Sequence, residues 1–155
     1  MSWCSAPLYL PDDAATDDLA RSVAPHLAAG DTLCLEGPLG AGKTHFARGV
    51  IRARLGTDED IPSPTFTLVQ TYGETPPRIW HCDLYRLSDT SELYELGLDE
   101  AMEDEICLIE WPDRLGKARP ADALTLDLAP EADGRRAIFK APGGTWKERL
   151  ADALG

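Results

Sequence analysis

At 155 residues the chain has room for one domain rather than two, since single hydrophobic cores occupy about 100 to 200 residues. Hydrophobic residues make up 43% and charged residues 27%, a balance that fits a soluble globular core and not a disordered chain. The net charge of −12 argues against a face that grips nucleic acid by itself, because such faces draw most of their affinity from Lys and Arg set against phosphates.

WCSAPLYL reads as a short first strand, and PDDAATDD then opens an amphipathic helix with Leu19, Val23 and Leu27 on its apolar face. DTLCLEG is an apolar strand ending in Gly37. THFARGVIRARLG follows as a helix with Ala47, Val50, Ile51 and Leu55 on one face and Gly56 as its stop. After the acidic, Pro-rich loop TDEDIPSPTF, the runs TLVQTYG and RIWHCDLYRL read as a hairpin around ETPP. SDTSELYELGLDEAMED reads as a helix capped by Ser88 or Ser91 and interrupted at Gly97, and EICLIE as a strand buried on both faces. ALTLDLAPEADGRRAIFKA alternates around a turn at Gly134 and reads as a second hairpin, in which Arg135 and Arg136 fit a solvated tip better than a basic site. TWKERLADAL is a closing helix. Helices against a largely buried sheet with hairpins added predict a three-layer α/β fold with a mixed central sheet.

The cysteines Cys4, Cys34, Cys82 and Cys107 have no metal-binding spacing, and the last three lie in apolar runs, so buried free thiols are expected, as suits a reducing cytoplasm. The opening MSWCSAPLYLPDD lacks a basic segment followed by a sustained apolar one, and no run nears the roughly 18 apolar residues of a membrane span. A cytoplasmic protein is expected.

Gly37, Pro38, Leu39, Gly40, Ala41, Gly42, Lys43 and Thr44 fit G-x-x-x-x-G-K-T between a predicted strand and a predicted helix, which makes the fold expectation a P-loop nucleotide-binding one. The glycines let the backbone curl so that successive N–H groups point at phosphate oxygens, and the helix adds its positive end. Lys43 then reaches the β- and γ-phosphates, and the Thr44 hydroxyl supplies a ligand to Mg²⁺. The chain contains no asparagine, hence no Asn-Lys-x-Asp segment for guanine, and ATP is the expected nucleotide. Its only glutamine, Gln70, falls in a predicted strand and is poorly placed to position water.

Such a loop needs a carboxylate on the Mg²⁺ side, and two acids on strands qualify, Glu110 at the end of CLIE and Asp83 within HCDLYRL. Read alone, each could equally be a solvated strand acid. Beside the phosphate loop, an acid on a buried strand needs a partner, and Mg²⁺ is one. In SPTF, Ser63 to Phe66, Thr65 could bond the γ-phosphate or its Mg²⁺, or the segment could be a plain turn set by Pro62 and Pro64. Trp111 after Glu110 could wall the site or simply pack.

GPLGAGKTHFARG, SPTFTLVQTY, HCDLYRL, ELGLDE and ICLIEWPDRLG, in this order from about Leu10 to Gly116, together resemble the TsaE (YjeE) family, the bacterial ATPases of tRNA threonylcarbamoyladenosine synthesis. The resemblance implies a single P-loop ATPase domain spanning 1–155 that binds ATP and Mg²⁺, associates with TsaD and TsaB, and supports turnover of the complex that modifies tRNA without performing the transfer. It further implies Lys43 and Thr44 at the phosphates and Mg²⁺, Ser63 to Phe66 as a switch, Asp83 as the acid needed for hydrolysis and Glu110 as the Mg²⁺-side acid. The tip around Gly134 to Ala137 fits the family loosely, with Arg136 as the nucleotide contact it suggests. Lys43, Asp83 and Glu110 are thus the expected catalytic residues, with Thr44, Glu110 and Asp83 as metal ligands. Gly37, Leu39, Gly40, Ala41, Gly42, Lys43, Thr44 and Thr65 are the expected nucleotide contacts. A small-molecule kinase shares the loop and the approximate size, but the chain shows no obvious Arg-bearing lid. A nucleotide-dependent scaffold without useful hydrolysis is the third reading.

Overall fold

The structure, a computed structural model, describes residues 2–38, 40–57, 61 and 69–154. The sequence-based readings of Leu39 and of Ser63 to Phe66, Thr65 included, lie outside the described residues.

Two short strands, β1 (Trp3–Cys4) and β2 (Leu8–Leu10), precede α1 (Asp13–Val23), β3 (Thr32–Glu36) and α2 (Lys43–Leu55). Then follow β4 (Val69–Tyr72), β5 (Ile79–Asp83), α3 (Ser91–Glu95), α4 (Leu98–Asp104) and β6 (Ile106–Glu110). The hairpin of β7 (Leu124–Glu131) and β8 (Gly134–Ala141) leads to the short helices α5 (Thr145–Arg149) and α6 (Ala151–Leu154). The strands form one sheet in the order β1-β8-β7-β3-β6-β5-β4, with β2 also on β8. Its centre is parallel, β7 and β6 flanking β3 and β5 joining β6, and the β4–β5 and β7–β8 hairpins add antiparallel margins.

The expected mixed sheet and both hairpins are present, and helices cover both faces. Alternation along each strand divides the core. Leu33, Leu35, Ile106 and Leu108 face α1 and α2, where Phe46, Ala47, Val50 and Ile51 are buried. Cys107, Ile109 and Cys82 face α3 and α4 through Leu93, Leu98 and Met102. Every residue of β6 is buried, as expected of a central parallel strand packed on both faces.

Several local readings change. The first strand is broken into β1 and β2, both paired with β8, because the intervening Ser5 uses its hydroxyl to accept the Phe139 N–H. Helix α1 is capped by Asp12, whose carboxylate accepts the Ala15 N–H, and gives way to a 3₁₀ turn at Ala24–His26, so Leu27 is buried beyond the helix rather than on it. Leu55, in the last turn of α2, is 42% exposed although Gly56 stops the helix as expected, in the left-handed conformation. Neither Ser88 nor Ser91 caps α3; its first turn is closed by Asp89, whose carboxylate accepts the Ser91 N–H. The closing helix is two short ones, and Trp111 leads into an unanticipated 3₁₀ segment, Pro112–Ala118.

Candidate phosphate and metal site

The carboxyl ends of β3, β5 and β6 open onto one place. The chain leaves β3 at Gly37 and turns back at once, with the Ala41 N–H donating to the Pro38 carbonyl before α2 begins at Lys43. The turn depends on left-handed glycines. At Gly42, φ is +98°, and a Cβ would meet the Arg135 guanidinium at 2.6 Å. Helix α2 thus points its free N–H groups into the cleft, where an anion would meet them.

Lys43 is only 5% exposed, and its Nζ donates to the Gly37 carbonyl at 2.6 Å while lying 3.5 Å over the Trp111 ring. Burial lowers its ammonium pKa, and Glu110, Asp83 and Asp113 oppose that shift. Thr44 Oγ1 donates to Glu110 Oε1 at 2.7 Å. The other oxygen, Oε2, is 2.7 Å from Nε2 of His81, which is fully buried. Register sets Asp83 beside Glu110 across the β5–β6 pair, so both carboxylates stand at the same strand ends. Asp83 Oδ1 accepts the Tyr85 N–H at 3.1 Å.

Lys43, Thr44, Asp83, Glu110, Gly40 and Gly42 therefore line one cleft of about 300 Å³, with Trp111 and Arg135 as further walls. That volume lies at the lower end for ligand pockets, which suits a phosphate chain better than a whole nucleotide. The donors fit Mg²⁺. A hydroxyl and two carboxylates are hard oxygen ligands. Among the described residues there is no group of three or more His, Cys, Asp or Glu that could hold a metal by itself.

Three neighbours of this cleft take their places only in the folded chain, and of these sequence reading misjudged Arg135, passed over His81 and left Trp111 open between a wall of the site and simple packing. Arg135 does not point from a solvated tip: it donates to Thr16 Oγ1 at 2.9 Å, pairs with Asp13 at 2.9 Å and lies against Gly42. Arg136, the residue suggested by resemblance, points away and sits 3.9 Å from Glu131, about half exposed. The parity of β8 carried the signal, since Arg135 shares one face of the strand with the buried Ala137 and Phe139. His81 shares the parity of Ile79 and Asp83 on β5, but only the β6 register brings it to Glu110. Trp111 adopts φ 60° and ψ 54°, left-handed values rare for a bulky residue, and this folds its ring back over Lys43, with Tyr85 tilted against it at 5.0 Å. Gln70 is elsewhere, its amide oxygen accepting the Tyr72 hydroxyl.

A parallel-centred sheet whose first glycine loop opens a helix at the strand ends defines a nucleotide-binding protein of the P-loop class. The family model described as "Threonylcarbamoyl adenosine biosynthesis protein TsaE" matches residues 10–138, and the chain belongs to that family. The tRNA threonylcarbamoyladenosine biosynthesis protein TsaE of Rickettsia bellii is 37% identical over 136 residues, 88% of this chain and 94% of that protein. The Rickettsia felis protein of the same name is 44% identical over 106 residues, 68% of this chain and 62% of that protein. The crystal structure of Bacillus subtilis YdiB superposes with a TM-score of 0.74 at 28% identity, covering 99% of this chain and 93% of that one.

Proposed function

We propose that the chain is an ATP-binding, slowly ATP-hydrolysing subunit of tRNA threonylcarbamoyladenosine synthesis, acting in the cytoplasm. It supports turnover of the modifying complex through TsaD and TsaB, meets tRNA only through them, and does not itself perform the transfer. The observation that carries this reading is the Thr44–Glu110 hydrogen bond, which joins the helix hydroxyl of the phosphate loop to a strand-end carboxylate.

In this reading the loop backbone from Gly37 through Leu39, Gly40, Ala41 and Gly42 offers N–H groups to the phosphates, and Lys43 moves from the Gly37 carbonyl to the β- and γ-oxygens. Thr44, Glu110 and Asp83 hold the metal side of the site. Bound Mg²⁺ would supply charge neutralisation at the phosphates. Asp83 or Glu110 orients the attacking water, and Thr65 contacts the γ-phosphate. Arg135 adds positive charge at the mouth of the cleft, beside Gly42.

Purified TsaB and TsaD, mixed with this protein with and without ATP, test the proposal. Nucleotide-dependent association and stimulated phosphate release are expected. Brisk hydrolysis in isolation with no association in either state would sink it.

A further inference from the structure

His81 stands on β5 opposite Leu108 of β6, with Ile79 and Asp83 as its neighbours on the same face of the strand. Its side chain is completely buried, and an apolar residue would pack there at less cost. Its Nε2 lies 2.7 Å from Glu110 Oε2. An ionised carboxylate only accepts, so Nε2 carries the proton. Nδ1 has no hydrogen-bond partner among the described residues.

The orphaned Nδ1 makes His81 a costly residue for mere packing, and the hold on Glu110 is what offsets it. A glutamate carboxylate turns broadly about its last torsion. Here Oε2 is fixed by His81, which leaves Oε1 turned to Thr44.

We infer that His81 is a positioning residue, whose Nε2–H pins one oxygen of Glu110 so that the other is presented with Thr44 to a divalent cation. This rests on the Mg²⁺–ATP reading above. Outer-shell donors of this kind typically alter metal affinity by about 10- to 100-fold when removed.

The test is calorimetric titration of the full chain with a non-hydrolysable ATP analogue, once in Mg²⁺ and once in EDTA. His81→Leu should lose about 10- to 100-fold of the affinity measured in Mg²⁺ and none of that measured in EDTA. His81→Gln, whose amide N–H reaches a similar point, should recover most of the loss. Equal losses in Mg²⁺ and EDTA would mark a merely structural residue and overturn the inference, as would a folded His81→Leu protein that binds like the parent. If the parent itself shows no Mg²⁺ effect, the Mg²⁺–ATP reading fails, and the inference with it. Should His81→Leu not fold, the unmodified protein still decides, because its three histidines can be separated in a long-range ¹H–¹⁵N spectrum. A proton on Nε2 is expected for His81, and protonation at Nδ1 alone would overturn the role.

Discussion

Thr44 and Glu110 are 66 residues apart in the chain, yet the hydroxyl of one donates to the carboxylate of the other at 2.7 Å. If both serve one cation, substitutions at either should act on the same step. Thr44→Val and Glu110→Gln are each expected to weaken Mg²⁺-supported nucleotide binding by about 1.5–3 kcal/mol, the range for hydrogen bonds to charged groups. The double variant should lose much less than the sum. A binding cycle in Mg²⁺ measures this, and fully additive losses would show that the two groups act separately.

The adjoining acid should behave differently. Asp83→Asn keeps the size of the side chain and removes the charge beside Glu110. Phosphate release stimulated by the partner proteins should fall by about 10²- to 10⁴-fold, the usual contribution of a positioned base. Single-turnover assays at saturating ATP check it, and an unchanged rate would shift the role to Glu110.

Two loop glycines should fail for separate reasons. At Gly37, with φ +143°, a Cβ would lie 2.2 Å from the Leu128 carbonyl oxygen, a backbone atom of β7 that cannot move aside cheaply. Gly37→Ala should therefore lower stability by about 1–3 kcal/mol or more, seen as a reduced urea midpoint. At Gly42 the obstructing atoms belong to the flexible end of Arg135. Gly42→Ala should spare more of the stability and lose nucleotide affinity.

The Trp111 ring has the Lys43 ammonium 3.5 Å from its centre, and phosphates that draw Lys43 away would change its surroundings. Intrinsic fluorescence is expected to shift on nucleotide addition. The shift should vanish in Trp111→Phe but persist when Trp3, Trp80 or Trp146 is replaced, and persistence in Trp111→Phe would place the reporter elsewhere.

Burial pushes the Cys34 thiol up to about 11 and the Cys107 thiol to about 12, and raises Cys82 well above the ordinary range. An unfolded thiol ionises near pH 8.5, so above that pH the unfolded chain has released protons that the native protein still holds. The contribution of the thiols should thus be constant below about pH 8, and stability should fall as pH rises from about 9 toward 11, by up to about 1.4 kcal/mol per pH unit for each thiol. Denaturant midpoints across this range measure the slope. Cys34→Ala should flatten it, and the exposed Cys4 should be the thiol that reacts first in the native protein.

The local signals in the chain were strong where the physics is local. Glycine spacing ahead of a helix specified the phosphate loop, since glycines adopt the left-handed turns it needs without steric cost, and the continuous apolar run of Ile106 to Ile109 specified a strand covered on both sides. Glu110 and Asp83 were legible as acids at odds with apolar surroundings. Arg135 and Arg136 were ambiguous as a pair, because a one-residue change of parity turns a side chain to the opposite face of a strand, and the pairing of β8 with β2 and β7 fixed which arginine met the loop. Composition, the loop and the strand-end acids are thus properties of the sequence by itself. The grip of His81 on Glu110 and the fold of Trp111 over Lys43 belong to tertiary structure, because they depend on the register of β5 against β6 and on a backbone conformation that no local preference supplies.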